Sequence, residues 1–472
     1  MRMSEDTKNS ISQDVLTQLR EATVGTEFAG KLYLVGGYVR DKLMGRVAKA
    51  EDIDLVLEGS AEAVAWLLYR KKVAQYKPVL FPNFGTAMVR VGKAQVEIVT
   101  AREETYRQGS RQPIVKEGTL YTDALRRDFT VNTFMENLHT GEILDLTGQG
   151  KTDLEAGILR TPLDPLTTFT DDPLRMLRAC RFAAKLGFAI ASDTYTALRE
   201  NAFRLSPEYG ISYERIRDEV NKTLMASGAA TGLEQMRETG LLVRFAPELV
   251  AMYGVTQNRF HKYDVWTHTL TALANLPESA GLLTRLAVLF HDIGKPKTRT
   301  VDTNGEVHFY EHETVGAEMA KEVMTRLRYS TDEIQTVGTL VSLHMRYGAY
   351  DAAEWTDAAV RRLIRTVGEH RQTLFTIAHA DIAACNTDDF PTADLNGLQE
   401  RMEQIEAEAH ITELTSPLSG QEIMERLSLT PGRLVGRIKD TLTDAVVSGE
   451  LAPDDKATAE AMAYELLSRE KQ

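Results

Sequence analysis

Short runs in which apolar and polar residues alternate, KLYLVGG, DIDLVLEG, GTAMVRVG and AQVEIVTAR, recur between Leu32 and about Asn137, with the helically spaced run AEAVAWLLYRKK among them. Alternation with period two predicts strands, and recurrence at three and four residues predicts helix, so this region reads as an α/β head on a mixed sheet. Beyond about Asp171 the spacing is helical almost throughout, and turn-rich breaks such as GQGKTD, RLSPEYG and LTSPLSGQ punctuate the chain. SPLSG near Pro417 marks a boundary to a final helical tail, and no fixed-period repeat or low-complexity tract interrupts the pattern. The expected fold class is α+β: a small N-terminal mixed sheet followed by a long all-α body. The divisions fall at 1–27 (a helical extension), 28–160 (the head), 161–240 (a helical neck), 241–415 and 416–472 (the tail).

Composition narrows the class. At 472 residues the chain is long enough for several domains, and its apolar and charged shares, 43% and 26%, are those of a folded soluble protein. Two distant cysteines, Cys180 and Cys385, exclude a disulfide framework and a thiolate zinc site and point to the cytoplasm. No run is apolar enough for a secretory leader or a bilayer span, so no membrane is expected as a partner. The net charge of -13 argues against indiscriminate nucleic-acid coating but leaves room for a local basic groove. Arg175, Arg178 and Lys185 offer one at helical spacing; a solvated amphipathic face fits that spacing equally well.

Two features of the head point to phosphate and metal. In EDIDLVLE, Asp52 and Asp54 are two apart on a strand and share a face, while Ile53 and Leu55 point the other way. Glu97, flanked by Val96 and Ile98 in VEIVTAR, is a candidate third carboxylate. Oxygen ligands of this kind suit Mg²⁺, which takes one or two carboxylates plus substrate phosphates, and paired ions of this type clamp an in-line phosphoryl displacement. A lone D-x-D also fits surface acids. Gly36 and Gly37 follow an apolar strand and precede a helix-like segment, where a turn lacking Cβ atoms lets backbone N–H groups approach phosphate. Arg40 adds a charge-assisted contact and Asp41 orients it. A plain strand-to-helix turn accounts for the glycines alone, but not for Gly-Gly, Arg-Asp and D-x-D in one short stretch.

GGYVRD followed by D-x-D resembles the head of the nucleotidyltransferases that include the class II CCA-adding enzymes and bacterial poly(A) polymerases. DALRRDFTVN resembles that family's RRDFTxN element, which implies that Arg127, Asp128 and Asn132 contact the sugar and triphosphate, with Arg126 in support. DLTGQGKTDLEAGILR is similar to the hinge between head and neck. DDPLRMLRACRFAAKLGF resembles the base-selecting EDxxR helix, although Asp171 stands where Glu is common, and Thr133 stands where Ala commonly follows the Asn. Read from the residues, Asp172 fits an N-cap with Pro173 at the first helical position. The resemblance implies instead that Asp172 and Arg175, an acceptor and a forked donor one turn apart, imitate a Watson–Crick edge, with Arg178 behind them. SYERIRDEVNKTL matches the neck helix and is assigned to packing, and LSGQEIMERLSLTPGRLVGRIKD resembles a tRNA-binding tail.

HKYDVWTHTL, LFHDIGKPKTR, EHETVG, SLHMRYG and AHADIAAC look like an HD domain occupying 241–415. The resemblance assigns His268, His291, Asp292 and Asp381 to one divalent metal, with His312 and His344 near a second, and Lys295 to a phosphate. Imidazole with carboxylate leaves the metal's identity open. Such domains hydrolyse phosphoesters, and here the activity would fall on RNA ends; a helical tRNA-binding domain without catalysis is the equal alternative. The family implies template-independent addition of C and A to the 3′ end of tRNA from CTP and ATP. Poly(A) polymerase is disfavoured because VRVGKAQVEIVTAR lacks that branch's Gly-Arg-x-Phe signature. The segment Glu103–Thr122, with Arg111 and Pro113 matching the family's Arg-x-Pro, favours CCA addition, then A addition, then CC addition.

Overall fold

The computed structural model describes residues 5–46, 52–106, 113–258, 261–348, 350–385, 393–409 and 415–470. Arg111 lies outside these residues. The chain packs as two compact units, 1–247 with 326–328, and 248–325 with 329–472.

The first unit is built on a seven-stranded sheet. Its strands are β1 (Leu32–Val35), β2 (Asp52–Leu57), β3 (Val79–Phe81), β4 (Thr86–Val91) and β5 (Ala94–Thr100), then, beyond the separate hairpin β6 (Arg102–Tyr106) and β7 (Pro113–Glu117), β8 (Met135–Asn137) and β9 (Ile143–Leu144). The order is β3-β4-β5-β2-β1-β8-β9, and only β2 and β5 run parallel. One face is apolar because every second residue of the central strands is: Ile53, Leu55, Val96 and Ile98 are all buried, packed with Val15, Leu16 and Leu19 of α1 (Glu5–Thr23). Val64, Ala65 and Leu68 of α3 (Ala61–Arg70) join the same core. The opposite face carries the polar residues of the same strands, the placement that period two dictates.

Around this sheet stand α2 (Gly37–Leu43), directly after β1, and α4 (Leu120–Leu125), closed by a capping box between Thr119 and Thr122. They are followed by α5 (Gly150–Ala156), α6 (Pro165–Asp171), α7 (Leu174–Leu186), α8 (Ser192–Asn201) and α9 (Tyr213–Leu224). The helix expected from Asp172 starts at Leu174, with Pro173 as its cap, because Asp172 is extended (φ -142°, ψ 98°) and ends α6. Asp172 Oδ1 still accepts the Leu174 N–H at 3.3 Å, the bond an N-cap makes.

The second unit is helical, and Val265–Asn275, Leu282–Phe290, Thr331–Leu343 and Arg371–Ala384 form its centre. Gly420–Leu427, Arg433–Ser448 and Lys456–Glu470 share a core of Leu418, Ile423, Leu442, Ala459 and Ala463. The stretch expected to be helical almost throughout contains short strands as well. In the first unit Ala189–Ile190 pairs in parallel with Ile158–Leu159, which precedes that stretch, and in the second unit Arg299–Val301 pairs antiparallel with Val307–Phe309. Strands of two and three residues are too short to show alternation. Among the described residues, no helix is long and apolar enough to cross a membrane.

Candidate active site and metal centre

The polar face of β2, through Asp54, meets a cleft of about 430 Å³ in the first unit. Parallel pairing sets Asp52 opposite Gln95 and Asp54 opposite Glu97, so Asp54 and Glu97 stand abreast and Asp52 is one pleat along. Asp54 lines the cleft; Asp52 and Glu97 are not among its lining residues. Burial, then repulsion from Glu97 and Asp52, outweigh the pull of Arg127 and push the Asp54 carboxyl up to about 6. A cation placed there relieves that repulsion. The open acidic set fits Mg²⁺, which leaves most of its sphere to substrate phosphates and water.

Above Asp54 the chain turns at Gly36, whose φ of 72° with ψ -139° is a conformation that essentially only glycine adopts. A Cβ there would lie 3.6 Å from Asp54 Oδ2 and 3.9 Å from Arg127 Nη1, so the turn, the carboxylate and the arginine meet at one point. A Cβ at Gly37 would press on Arg40 Nη2 at 3.4 Å. Arg40 is only 1% exposed; its Nε and Nη2 donate to Asp41 Oδ1 at 2.8 and 2.6 Å, and its Nη1 donates to Asn132 Oδ1 at 2.6 Å. Asn132 in turn donates to Asp128 Oδ1 at 2.9 Å. Arg126 and Arg127 are both gripped by the buried Asp123.

The far wall comes from α7 and α9. Asp172 Oδ2 accepts from Arg215 Nη2 at 3.1 Å, and Arg175 donates through Nη2 to the Arg126 carbonyl at 2.6 Å. Asp172 and Arg175 therefore both face the cleft, with the Arg215 and Arg126 contacts on their side chains, and the Arg175 N–H donates to the Asp172 carbonyl at 3.0 Å. Arg178 lines the same cleft, and its Nε and Nη2 fork onto Asp128 Oδ2 at 2.8 and 2.5 Å. Burial alone would raise the Asp128 carboxyl, but Arg178 and Asn132 outweigh it and hold it down at about 2. Three lining residues carried no sequence signal of their own. Phe182 lies under the guanidiniums of Arg181, Arg40 and Arg178, at 4.1, 5.3 and 5.5 Å from its ring centre. Arg181 is fixed by the buried Glu219 at 2.6 Å, and Arg215, on the helix assigned to packing, reaches the cleft.

In the second unit a separate cavity of about 470 Å³ is lined by Asp292, Lys295, His312, His344 and Asp381. Asp292 is the hub. Its Oδ2 lies 3.2 Å from His291 Nε2 and 3.8 Å from His268 Nε2, and its Oδ1 lies 3.4 Å from His312 Nε2 and 3.9 Å from His344 Nε2. Asp381 Oδ1 is 2.8 Å from His268 Nε2 and 3.6 Å from His291 Nε2. Two close-set trios result, His268, His291 and Asp381, and Asp292, His312 and His344. His291, His312 and His344 each engage a backbone carbonyl through Nδ1, of Val288, Phe309 and Val341, at 2.7, 2.8 and 2.7 Å. Their Nε2 atoms are buried and without a hydrogen-bond partner. Second-sphere bonding that fixes the tautomer and leaves Nε2 as a bare acceptor is the arrangement of a metal ligand, so the residues fit one or two divalent ions. Burial opposes charge on His291, yet the Asp292 and Asp381 carboxylates outweigh it and push it up to about 10. Lys295 Nζ donates to Asp292 Oδ2 and Gln257 Oε1, both at 2.7 Å.

Residues 32–160 match the family model described as the poly A polymerase head domain, 187–252 the probable RNA and SrmB-binding site of polymerase A, and 261–415 the HD domain. An A-adding tRNA nucleotidyltransferase from Deinococcus radiodurans is 34% identical over 350 residues, 72% of this chain and 78% of that protein. A CC-adding tRNA nucleotidyltransferase from Thermus thermophilus is 31% identical over 443 residues, 90% of this chain and 92% of that protein. The crystal structure of the Bacillus stearothermophilus CCA-adding enzyme in complex with CTP has the same fold, with a TM-score of 0.66 at 23% identity over 99% of this chain and 100% of that one.

Proposed function

The chain belongs to the tRNA nucleotidyltransferase family, and we propose from that premise that it adds C and A to the 3′ end of tRNA without a nucleic-acid template. CTP and ATP are the donors, pyrophosphate leaves, and the cytoplasm is the compartment. The observation that carries this reading is that one cleft gathers the glycine turn, Arg40, Arg126, Arg127 and Asn132 around Asp54, with Asp172 and Arg175 on the facing wall. The proposed catalytic carboxylates are Asp52, Asp54 and Glu97, of which Asp52 and Asp54 hold Mg²⁺. Bound there, the metal supplies charge neutralisation for the triphosphate and lowers the pKa of the attacking ribose hydroxyl. The chain's own residues do the rest. Backbone N–H groups after Gly36 and the guanidiniums of Arg40 and Arg127 hold the triphosphate, while Asp128 and Asn132 lock Arg178 and Arg40 so that the cleft needs no rearrangement to receive it. Asp172 accepts from the exocyclic amino group that cytosine and adenine share, and Arg175 donates to the adjacent ring nitrogen. Uracil and guanine present an acceptor where Asp172 needs a donor. The proposed divisions remain a head over 28–160, a neck over 161–240, an HD domain over 241–415 and a tRNA-binding tail over 416–472, after an N-terminal extension over 1–27.

The test is to offer CTP, ATP or both to tRNAs that lack all three, or only the last, of the terminal nucleotides, and to size the products. CCA addition extends the first substrate by three with both nucleotides present. Growth only of the last position identifies an A-adding enzyme, and arrest after two identifies a CC-adding one. No extension of any substrate refutes the proposal.

The histidine cluster supports a second activity, metal-dependent phosphoester hydrolysis at RNA ends by the second unit. His268, His291, Asp292, His312, His344 and Asp381 hold the metal, and Lys295 neutralises a phosphate oxygen. The supporting observation is the set of buried Nε2 atoms converging without partners. Release of phosphate from a 3′-phosphorylated RNA on adding Mn²⁺, lost in His291→Ala, tests it; no release with any divalent ion refutes it.

A further inference from the structure

Asp123 is fully buried in α4, and each of its oxygens takes one arginine. Oδ1 accepts from Nε and Nη2 of Arg126 at 2.9 and 2.5 Å; Oδ2 accepts from Nε and Nη2 of Arg127 at 3.2 and 2.9 Å. The two arginines lead to different groups of the cleft. Arg127 Nη1 stands at the Gly36 turn beside Asp54, where the triphosphate is read to lie. The backbone carbonyl of Arg126 accepts from Arg175 Nη2 at 2.6 Å, where the base is read to lie.

We infer that Asp123 is a positioning residue that sets both ends of the nucleotide from one carboxylate, so that alignment of the triphosphate and reading of the base are coupled through it. The inference rests on the reading above, in which Arg127 grips the triphosphate and Arg175 reads the base. Adjacent guanidiniums repel, and each is a planar fork whose orientation follows its bidentate partner. A single buried anion between them therefore fixes both planes, and with them the local backbone that presents the Arg126 carbonyl. A residue acting on the triphosphate alone would weaken every nucleoside triphosphate equally. A residue that only packs would lower stability and turnover without changing which base is chosen.

Base choice is therefore the discriminating readout. In full-length Asp123→Asn, one oxygen becomes an NH₂ that faces arginine donors, so one fork is released. Loss of a charge-assisted hydrogen bond corresponds to about tenfold to a hundredfold. The expected result is a KM for CTP raised about tenfold or more, with the preference for CTP over UTP in kcat/KM falling by a similar factor. Arg175→Ala is assayed alongside. If Arg175→Ala keeps the wild-type preference, the assignment of Arg175 to the base fails and the coupling falls with it. If Arg175→Ala relaxes the preference and Asp123→Asn does not, the coupling alone is overturned. Should Asp123→Asn fail to fold, Arg126→Gln carries the same readout with the same two outcomes, since it empties only one oxygen and Arg126 is 21% exposed.

Discussion

Asp128→Asn is the most informative single substitution outside the metal-binding carboxylates, because nothing in its surroundings accepts an amide. Asp128 Oδ1 accepts from the Phe129 N–H and from Asn132 Nδ2, both at 2.9 Å, and Oδ2 accepts from two nitrogens of Arg178. Every neighbour is a donor, so an Asn in either orientation sets its NH₂ against donors. The charge is lost as well. A carboxyl held at about 2 rather than the ordinary 3.8 carries about 2.5 kcal/mol of preference for its ionised form, at about 1.4 kcal/mol per tenfold change in proton affinity. The unmatched donors add about 1 to 3 kcal/mol, giving roughly 3.5 to 5.5 in all.

The pH dependence separates the two contributions. A carboxyl whose folded value is depressed contributes its stability fully above the unfolded value and loses it as pH falls toward the folded one, so this window runs from about 4 down to about 2. At pH 3 about half of the ionic share is gone, while the donor mismatch remains. Calorimetric scans at pH 7 are expected to show the transition of the first unit lowered by about 10 °C in Asp128→Asn, with a smaller gap at pH 3. Equal melting temperatures at pH 7, or a gap of the same size at both pH values, would refute the account of Asp128 as an ionised anchor.

Asp52→Ala and Asp54→Ala are each expected to abolish nucleotide addition while leaving tRNA binding in a gel-shift assay unchanged; normal turnover in either removes that residue from the metal site. Asp172→Ala or Arg175→Ala should let UTP and GTP compete with CTP and ATP in single-nucleotide extension, and unchanged selectivity in both sinks the base-edge reading. His291→Ala should keep addition and lose bound divalent metal by elemental analysis; full metal content in the variant contradicts the ligand assignment. At Gly294 a Cβ would come within 2.2 Å of the His312 carbonyl oxygen and 2.8 Å of the Gly316 N–H. Gly294→Ala should therefore unfold or loosen the second unit, read as a lower melting temperature, and an unaltered unit means that the backbones there separate at little cost.

How much of this could be read from residues alone follows from the range over which each signal acts. Period two in DIDLVLEG and AQVEIVTAR fixes which side chains share a face, so the carboxylate face was legible within two strands; that β5 lies parallel beside β2, setting Glu97 abreast of Asp54, is a fact of pairing that no run contains. Motif order supplied the histidines, yet the role of Asp292 as the hub between two trios appears only when helices from distant parts of the chain converge. The differences are of the same kind. Arg178 shares the cleft with Asp172 and Arg175, but its bonded partner is the buried Asp128, far earlier in the chain, a pairing that no local pattern contains. Arg215 lies on the helix that the resemblance assigns to packing, and it reaches the cleft from near the N-terminal end of that helix, where it bonds Asp172. Local pattern thus identifies the groups able to do chemistry. Which charge each one faces is decided by long-range pairing, and that choice turns Asp128 and Asp123 from motif neighbours into the residues that hold the cleft's arginines in place.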